Sequence, residues 1–166
     1  NCEVLGLTNL QFLSCAFSME KPEGHDIVYL DPDRRPNKQR VRAISDCEPD
    51  IAAQWEHWST LPVEWLVKLS PMLDIQQSLQ VLNEIHEVHI VAVKNEVKEL
   101  LLYRSKEQQQ ETRVFCWELS VDKAEVFEYH LAEEETSVAE CTPLKQYLFI
   151  PNASILKAGA FKLFAQ

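Results

Sequence analysis

Residues 25–36 read HDIVYLDPDRRP, and this stretch decides the fold. The short apolar run 27–30 is rich in β-branched and aromatic side chains, a pattern that predicts a buried β-strand. The run ends at Asp31-Pro32, where the proline lacks a backbone donor and holds the preceding residue in an extended conformation. Charged side chains therefore crowd the carboxyl end of a strand, where ligands bind in open α/β sheets.

Helical and strand patterns alternate after this stretch. The sequence predicts helices over 49–59 and 74–84, and strands over 64–69, 88–93 and 97–103. The last two strands are separated by so few residues that they must form an antiparallel hairpin. This order indicates an α/β fold: the second half of a doubly wound, mostly parallel sheet with one antiparallel hairpin strand at its end.

The sequence pattern changes after Arg104. A polar stretch covers 105–112, and strands are predicted over 113–119 and 125–131, with a solvated loop at 133–135. A helix with an apolar face follows Asn152, its expected N-cap. We therefore expect a partial α/β domain over residues 1–106 and a small α+β domain over residues 107–166. Because the pattern begins and stops abruptly, the chain is expected to be an excerpt of a longer protein.

The net charge of −10 argues against a free-standing binder of polyanions, which is normally basic. One segment departs from this average, since residues 34–42 hold five cations and no acid. A solvated loop and a phosphate-facing patch both explain such a cluster. Its position directly after the strand-end motif raises the second explanation as an alternative to the first.

The five cysteines are widely spaced and form no CxxC pair. This pattern indicates thiols in a reducing compartment rather than a disulfide framework, so a cytoplasmic protein is predicted. No apolar run approaches the roughly 18 residues of a membrane span, and we expect no membrane partner.

Four segments taken in order resemble the second half of a class I S-adenosylmethionine-dependent methyltransferase: NLQFLSCAF (9–17), DIVYLDPDRRP (26–36), EWLVKLSPMLD (64–74) and EVHIVAVKNEVKELLLY (87–103). A fifth, FIPNASILKAGAFK (149–162), is similar to a characteristic stretch of the THUMP-like domain that follows such a domain in one bacterial family. The resemblance therefore implies a Rossmann-like fold for the first part of the chain and a THUMP-like domain, cut short, for the second.

The resemblance implies a catalytic role for Asp31, Pro32, Asp33 and Arg34. They lie where these enzymes carry an (Asn/Asp)-Pro-Pro-aromatic motif, whose first side chain accepts hydrogen bonds from the nitrogen to be methylated. Such acceptors localise the lone pair of an amine that is otherwise delocalised into a ring. This chain departs from the motif twice, with an aspartate for the second proline and an arginine for the aromatic residue. Arginine can still stack on a base or hold a phosphate.

The resemblance also implies two sets of binding residues. The adenine of the cofactor would lie beside Cys15, Ala16 and Phe17. The substrate, expected to be RNA, would lie beside Arg35, Lys38, Arg40, Lys68, Ser70 and Pro71.

The cofactor half of the family's site is missing from this sequence. The family holds S-adenosylmethionine with a glycine-rich loop and a ribose-binding acid, whereas this chain has three well-separated glycines. We therefore expect a parent protein that uses S-adenosylmethionine and a 166-residue chain that neither binds it well nor catalyses methyl transfer. The alternative is a non-catalytic module that keeps the fold and binds nucleic acid or protein.

The family's strand order, 3-2-1-4-5-7-6, has a consequence for association. Without the family's first two strands, strand 27–30 becomes an apolar edge, and a predicted strand over 9–17 has no partner. An exposed edge invites pairing with another chain. The sequence thus predicts either a homodimer through this edge or a segment 9–17 that moves across to cover it.

Four further patterns have competing explanations. His86 and His89 form an HxxH, but without a third ligand nearby no metal site is predicted. A carboxylate pair for metal-assisted chemistry at Asp31 and Asp33, and a nucleophilic Cys47, are weaker alternatives to the methyltransferase interpretation. The tryptophans at 55, 58 and 65 could stack on bases, although packing in the core is favoured.

Overall fold

The computed structural model describes residues 6–10, 24–34, 43–107, 111–140, 142–143 and 145–166. The predicted strand 9–17 lies almost entirely outside these residues, as does most of the basic cluster 34–42. Eight strands are present among the described residues: β1 (Ile27–Leu30), β2 (Asp33–Arg34), β3 (Cys47–Glu48), β4 (Glu64–Leu69), β5 (Glu87–Val93), β6 (Glu96–Arg104), β7 (Arg113–Leu119) and β8 (Ala124–His130). The helices are α1 (Ile51–Trp58), α2 (Ile75–Val81), α3 (Leu131–Thr136), α4 (Ala153–Ala158) and α5 (Phe161–Phe164), with a 3-10 turn at Ile44–Asp46.

Six strands form one sheet in the order β1-β4-β6-β5-β7-β8, and β2 and β3 form a separate two-stranded ribbon. Strand β1 pairs parallel with β4, and β6 lies antiparallel between β4 and β5. Strand β7 pairs parallel with β5, and β8 closes the sheet antiparallel to β7. Four strands therefore run in one direction, while β6 and β8 run in the other.

The predicted α/β class and the hairpin strand are confirmed, with β6 inserted beside β4 as the expected order requires. Strands from both sides of the predicted boundary at 106/107 belong to the same sheet, because β7 continues it from β5. The division into two domains stays a prediction. The strands on the two sides of this boundary do not form separate sheets.

One face of the sheet is buried beneath the helices. Alternate residues of β4 point into this core, and Trp65 stacks on Trp58 of α1 with ring centroids 5.3 Å apart. Trp55 meets the same ring edge-on at 6.0 Å, and its indole Nε1 donates to the carbonyl of Asn83. All three tryptophans are at most 1% exposed, which excludes base stacking and confirms the prediction that they pack the core.

Local sequence explains where the helices begin. Asp50 and Asp74 accept hydrogen bonds from the backbone N–H groups three residues ahead and so cap α1 and α2. Asn152 caps α4 in the same way, as predicted. The expected loop at 133–135 is wrong, since these residues lie in α3. The expected C-terminal helix is split at Gly159, whose φ of 73° ends α4 in a left-handed cap.

Candidate functional site

The candidate site lies at the end of the sheet formed by the carboxyl ends of the parallel strands β1 and β4. Residue Leu30 pairs with Val67 in this register, so the residues that follow them, Asp31 and Lys68, are neighbours. The Lys68 ammonium forms an ion pair with the Asp31 carboxylate. Side-chain exposures of 28% for Lys68 and 49% for Asp31 keep the pair in reach of a ligand from solvent.

The electrostatics of the pair favour a charged lysine. The pKa of Lys68 is raised above its ordinary value because its ammonium donates to Asp31, an effect larger than the opposing loss of solvation. Asp31 therefore presents one acceptor oxygen to Lys68 and has further acceptor capacity for a donor arriving from the cleft.

The rest of the predicted motif turns back toward Cys47. Asp33 pairs with Glu48 and Arg34 with Cys47 in the antiparallel β2–β3 ribbon. Cys47 is 5% exposed, so the ribbon brings a buried thiol to the strand end as well as the motif. Pro32 leads the chain from the sheet into this ribbon, in keeping with its inability to continue a ladder.

Ser70 and Pro71 complete the substrate side predicted from the sequence. The Ser70 hydroxyl accepts from the backbone N–H of Met72 at 3.3 Å, and the Ser70 backbone carbonyl accepts from the N–H of Leu73 at 3.0 Å. These bonds fold residues 70–73 into a turn directly after β4. Lys157 of α4 also binds this turn, since its Nζ donates to the Leu73 carbonyl at 2.7 Å.

Together these elements enclose a cleft of about 260 Å³. It is lined by Asp31, Pro32, Asp33, Cys47, Lys68, Leu69, Ser70, Pro71 and Glu99. The structure thus brings six of the predicted site residues to one place: Asp31, Pro32, Asp33, Lys68, Ser70 and Pro71. Nothing is described of the Arg34 side chain. The remaining predicted residues, Cys15, Ala16, Phe17, Arg35, Lys38 and Arg40, lie outside the described residues.

Glu99 is the lining residue that the sequence did not single out. It stands on β6, which pairs antiparallel with β4, two residues before the Leu101 that faces Lys68. The predicted strand order already placed β6 beside β4. Extending the register of β6 against β4 by two residues beyond the Lys68–Leu101 pair would have placed a third carboxylate, that of Glu99, at this cleft.

The cleft holds carboxylates, an ammonium and a hydroxyl, which suits a polar group that donates hydrogen bonds. S-adenosylmethionine requires a different surface, with backbone amides for its carboxylate and an acid for its ribose. The described lining of this cleft includes carboxylates but no glycine.

Two other possibilities find no support among the described residues. They contain no cluster of three or more metal-type side chains. His86 and His89 serve separate bonds, since His86 Nδ1 accepts from Ser105 N while His89 Nδ1 accepts from the Trp117 indole. Within the described part of the chain, no helix has the length and apolar character of a membrane span.

A solved structure resembles most of this chain. It is the crystal structure of a protein described as a putative methyltransferase from Porphyromonas gingivalis W83, with 35% sequence identity and a TM-score of 0.69. The similarity covers 84% of this chain and 35% of that protein, so the chain spans about a third of its relative's length. This likeness supports a methyltransferase-like protein.

The family models give a second, shorter match. A ferredoxin-like domain matches residues 147–166, which include the segment that resembled a THUMP-like domain. The matched family is therefore ferredoxin-like, in place of the THUMP-like family expected from the sequence. No curated protein matches the chain.

Proposed function

We propose that this chain is the substrate-side part of a class I, S-adenosylmethionine-dependent methyltransferase that acts on an amino group of an RNA base. The observation that carries the proposal is the position of Asp31, at the carboxyl end of β1 in a sheet whose order is β1-β4-β6-β5. This order matches the 4-5-7-6 half of the Rossmann-like sheet that such enzymes use. The likeness to the Porphyromonas gingivalis protein points the same way.

Asp31 would act on the amine rather than on the cofactor. Its carboxylate accepts hydrogen bonds from the amino N–H groups, so that the nitrogen lone pair is held out of the ring plane and toward the methyl donor. When bound by the whole enzyme, S-adenosylmethionine supplies the methyl group. Lys68, ion-paired with Asp31, would meet a neighbouring phosphate of the substrate.

The RNA part of the proposal rests on the basic cluster 34–42, which follows the Asp31-Pro32 motif in the sequence. A role in RNA capture for the C-terminal part, and a cytoplasmic location, belong to the same proposal. The cytoplasmic location rests on the five widely spaced cysteines, which form no CxxC pair.

A second candidate function is a non-catalytic binding module. The Lys68–Asp31 ion pair favours it, since the acceptor proposed for the substrate amine is already engaged by an ammonium. Asp33 and Arg34, which replace the second proline and the aromatic residue of the motif, favour it as well.

Substitution of Asp31 in the full-length protein distinguishes the two functions. Methyl transfer from tritiated S-adenosylmethionine to cellular RNA should fall on the order of 100-fold in Asp31→Ala. Asp31→Asn keeps an acceptor oxygen and should retain more activity than the alanine variant. Activity unchanged by Asp31→Ala would refute the catalytic proposal, whereas RNA retained on the protein without any methylation would support the binding module.

A further inference from the structure

The Lys68 ammonium stands between carboxylates from two neighbouring strands, on the face of the sheet turned away from the tryptophan core. Every second residue of β4 is buried in that core, ending with Leu69, so Lys68 is on the opposite face. Strand β6 alternates in the same way, since Leu100 is buried while Glu99 and Leu101 are only partly so. Lys68 and Glu99 therefore share one face of the sheet.

The register of the strands places Glu99 close to this lysine. Lys68 pairs with Leu101 across the antiparallel β4–β6 ladder, and Glu99 lies two residues along β6 on the same face. Such diagonal neighbours are about 7–8 Å apart and within reach of long side chains. Asp31 is on the other side of the lysine, at the end of β1. Three adjacent strands thus contribute one row: Asp31, Lys68 and Glu99.

The two carboxylates of this row differ in what they bind. Asp31 is ion-paired with the Lys68 ammonium. Glu99 lines the same cleft, and no residue in the described part of the chain forms a hydrogen bond or ion pair with its carboxylate. The pKa of Lys68 is raised first by its hydrogen bond to Asp31, and the charge of Glu99 adds a smaller effect in the same direction. Glu99 therefore acts on the ammonium without holding it.

This arrangement offers the ammonium a second position. A primary amino group on an aromatic ring has two N–H donors, so it is bound best by a carboxylate whose oxygens are both free of other donors. Lysine carries its three donors on a flexible stem, and rotation about the bonds of that stem can bring the ammonium from Asp31 to Glu99. One ion pair would replace another, so the number of ion pairs in the cleft would not change.

Resting on the proposed methyl transfer, we propose that Glu99 is a positioning residue, which receives the Lys68 ammonium when the substrate amine reaches Asp31. Both oxygens of Asp31 then accept from the amine. The ammonium, held by Glu99 through one donor, keeps its other donors for a phosphate of the substrate. Glu99 thus acts through Lys68 and does not touch the reacting nitrogen.

The first test does not depend on catalysis. NMR titration of the chain labelled with ¹³C at the lysine Cε positions reports the pKa of Lys68. In Asp31→Asn the ammonium should move to Glu99, so this pKa should fall less than in the double variant Asp31→Asn, Glu99→Gln. Replacing Glu99→Gln by Glu96→Gln, which removes the exposed partner of Lys98 on the same strand, is the matched control and should cause no further fall. Equal values of this pKa in Asp31→Asn and the double variant would overturn the proposal, whether or not the protein methylates RNA.

The second test measures methyl transfer to cellular RNA by the full-length protein. Glu99→Gln should lower kcat about tenfold with a smaller change in KM, and Glu99→Asp, which keeps the charge, should retain most of the activity. Because Glu99 acts through the ammonium, Glu99→Gln should cause no further loss in a Lys68→Met background. An equal loss in both backgrounds, or no loss in either, overturns the role of Glu99. The methyl transfer itself is judged separately by Asp31→Ala, whose unchanged activity would refute both proposals.

Discussion

The Lys68 ammonium lies on the Asp31 carboxylate, at the point where two adjacent parallel strands leave the sheet. This contact engages one oxygen of the carboxylate that is proposed to accept from a substrate amine. It is partly exposed on both sides, and exposed ion pairs contribute little to the free energy of unfolding. The proposed site gives the pair a role that does not depend on stability.

Replacing Lys68 with Met tests this role in the full-length protein. We expect the melting temperature to change little, because the lysine is well solvated and its pair is exposed. If Lys68 meets a phosphate of the RNA, KM for RNA should rise about tenfold while kcat stays closer to its original value. Lys98→Met is the matched control, since Lys98 forms a comparable exposed ion pair with Glu96 on β6. A lower KM in Lys68→Met would show instead that the lysine obstructs the acceptor.

Much of this site was accessible from the sequence because it depends on local patterns. Short apolar runs ended by proline located β1 and β4, and the hairpin at 94–95 fixed the direction of β6. Once the strand order was assumed, the neighbouring strand ends placed Asp31 next to Lys68. Glu99 was missed because finding it required the register of β6 rather than its existence.

The features that the sequence did not predict depend on distant partners. The residues 133–135 look like a solvated acidic loop, yet Glu133 accepts from His130 N at 2.6 Å and helps to begin α3. Glu134 accepts from the backbone N–H groups of Lys162 and Leu163, both at 2.9 Å, and so caps α5. The addition of β7 to the same sheet is likewise a long-range pairing that no local pattern specifies.

The isolated chain should not bind S-adenosylmethionine at useful affinity. Its three glycines are far apart in the sequence, and none of them lines the described cleft. Isothermal titration calorimetry of the chain should show no saturable heat, whereas the full-length protein serves as the positive control. Micromolar binding to the isolated chain would contradict the assignment of the cofactor half to another part of the parent protein.

The edge of the sheet at β1 should mediate self-association. Among the described residues β1 pairs on one side with β4 and is last in the sheet order, and Ile27 and Tyr29 are 48% and 54% exposed. Such an edge can pair with the same strand of a second copy. Light scattering after size exclusion should show a dimer that Tyr29→Lys converts to a monomer.

Val126→Lys on β8 is the control for this experiment, because β8 is the strand at the other end of the sheet and Val126 is similarly exposed. A chain that is monomeric before any substitution would count against the dimer. If its segment 9–17 were then protected from amide exchange, that segment would be identified as the cover of the edge.

His86 should make the stability of the chain depend on pH. Its folded-state pKa is lowered by burial and by Arg104, against smaller opposing effects of Glu84 and Glu87. The stabilisation is therefore complete above the unfolded pKa of about 6.5 and is lost as the pH falls through the lower folded value. Thermal unfolding should show a loss between pH 7.5 and 5 that is smaller in His86→Asn, which keeps an acceptor near the Nδ1 position. Equal losses in the variant and the unsubstituted chain would contradict this role, and the exposed His25→Asn serves as control.

The bond from Lys157 to the Leu73 carbonyl should couple the C-terminal segment 147–166 to the candidate site. Lys157 on α4 is partly buried, and this burial lowers its pKa. Its side chain reaches the turn that contains Ser70 and Pro71. Helix α4 is held at its other end by Asn95, whose Oδ1 accepts from Ala153 N at 2.7 Å. In Lys157→Met the apolar stem is kept while the donor is lost, so amide exchange of Leu73 should accelerate several-fold to about tenfold through local opening. The exposed Lys145→Met should leave that exchange unchanged. If Leu73 exchanges at the same rate in both variants, the turn is held by its own bonds to Ser70, and the C-terminal segment does not position the site.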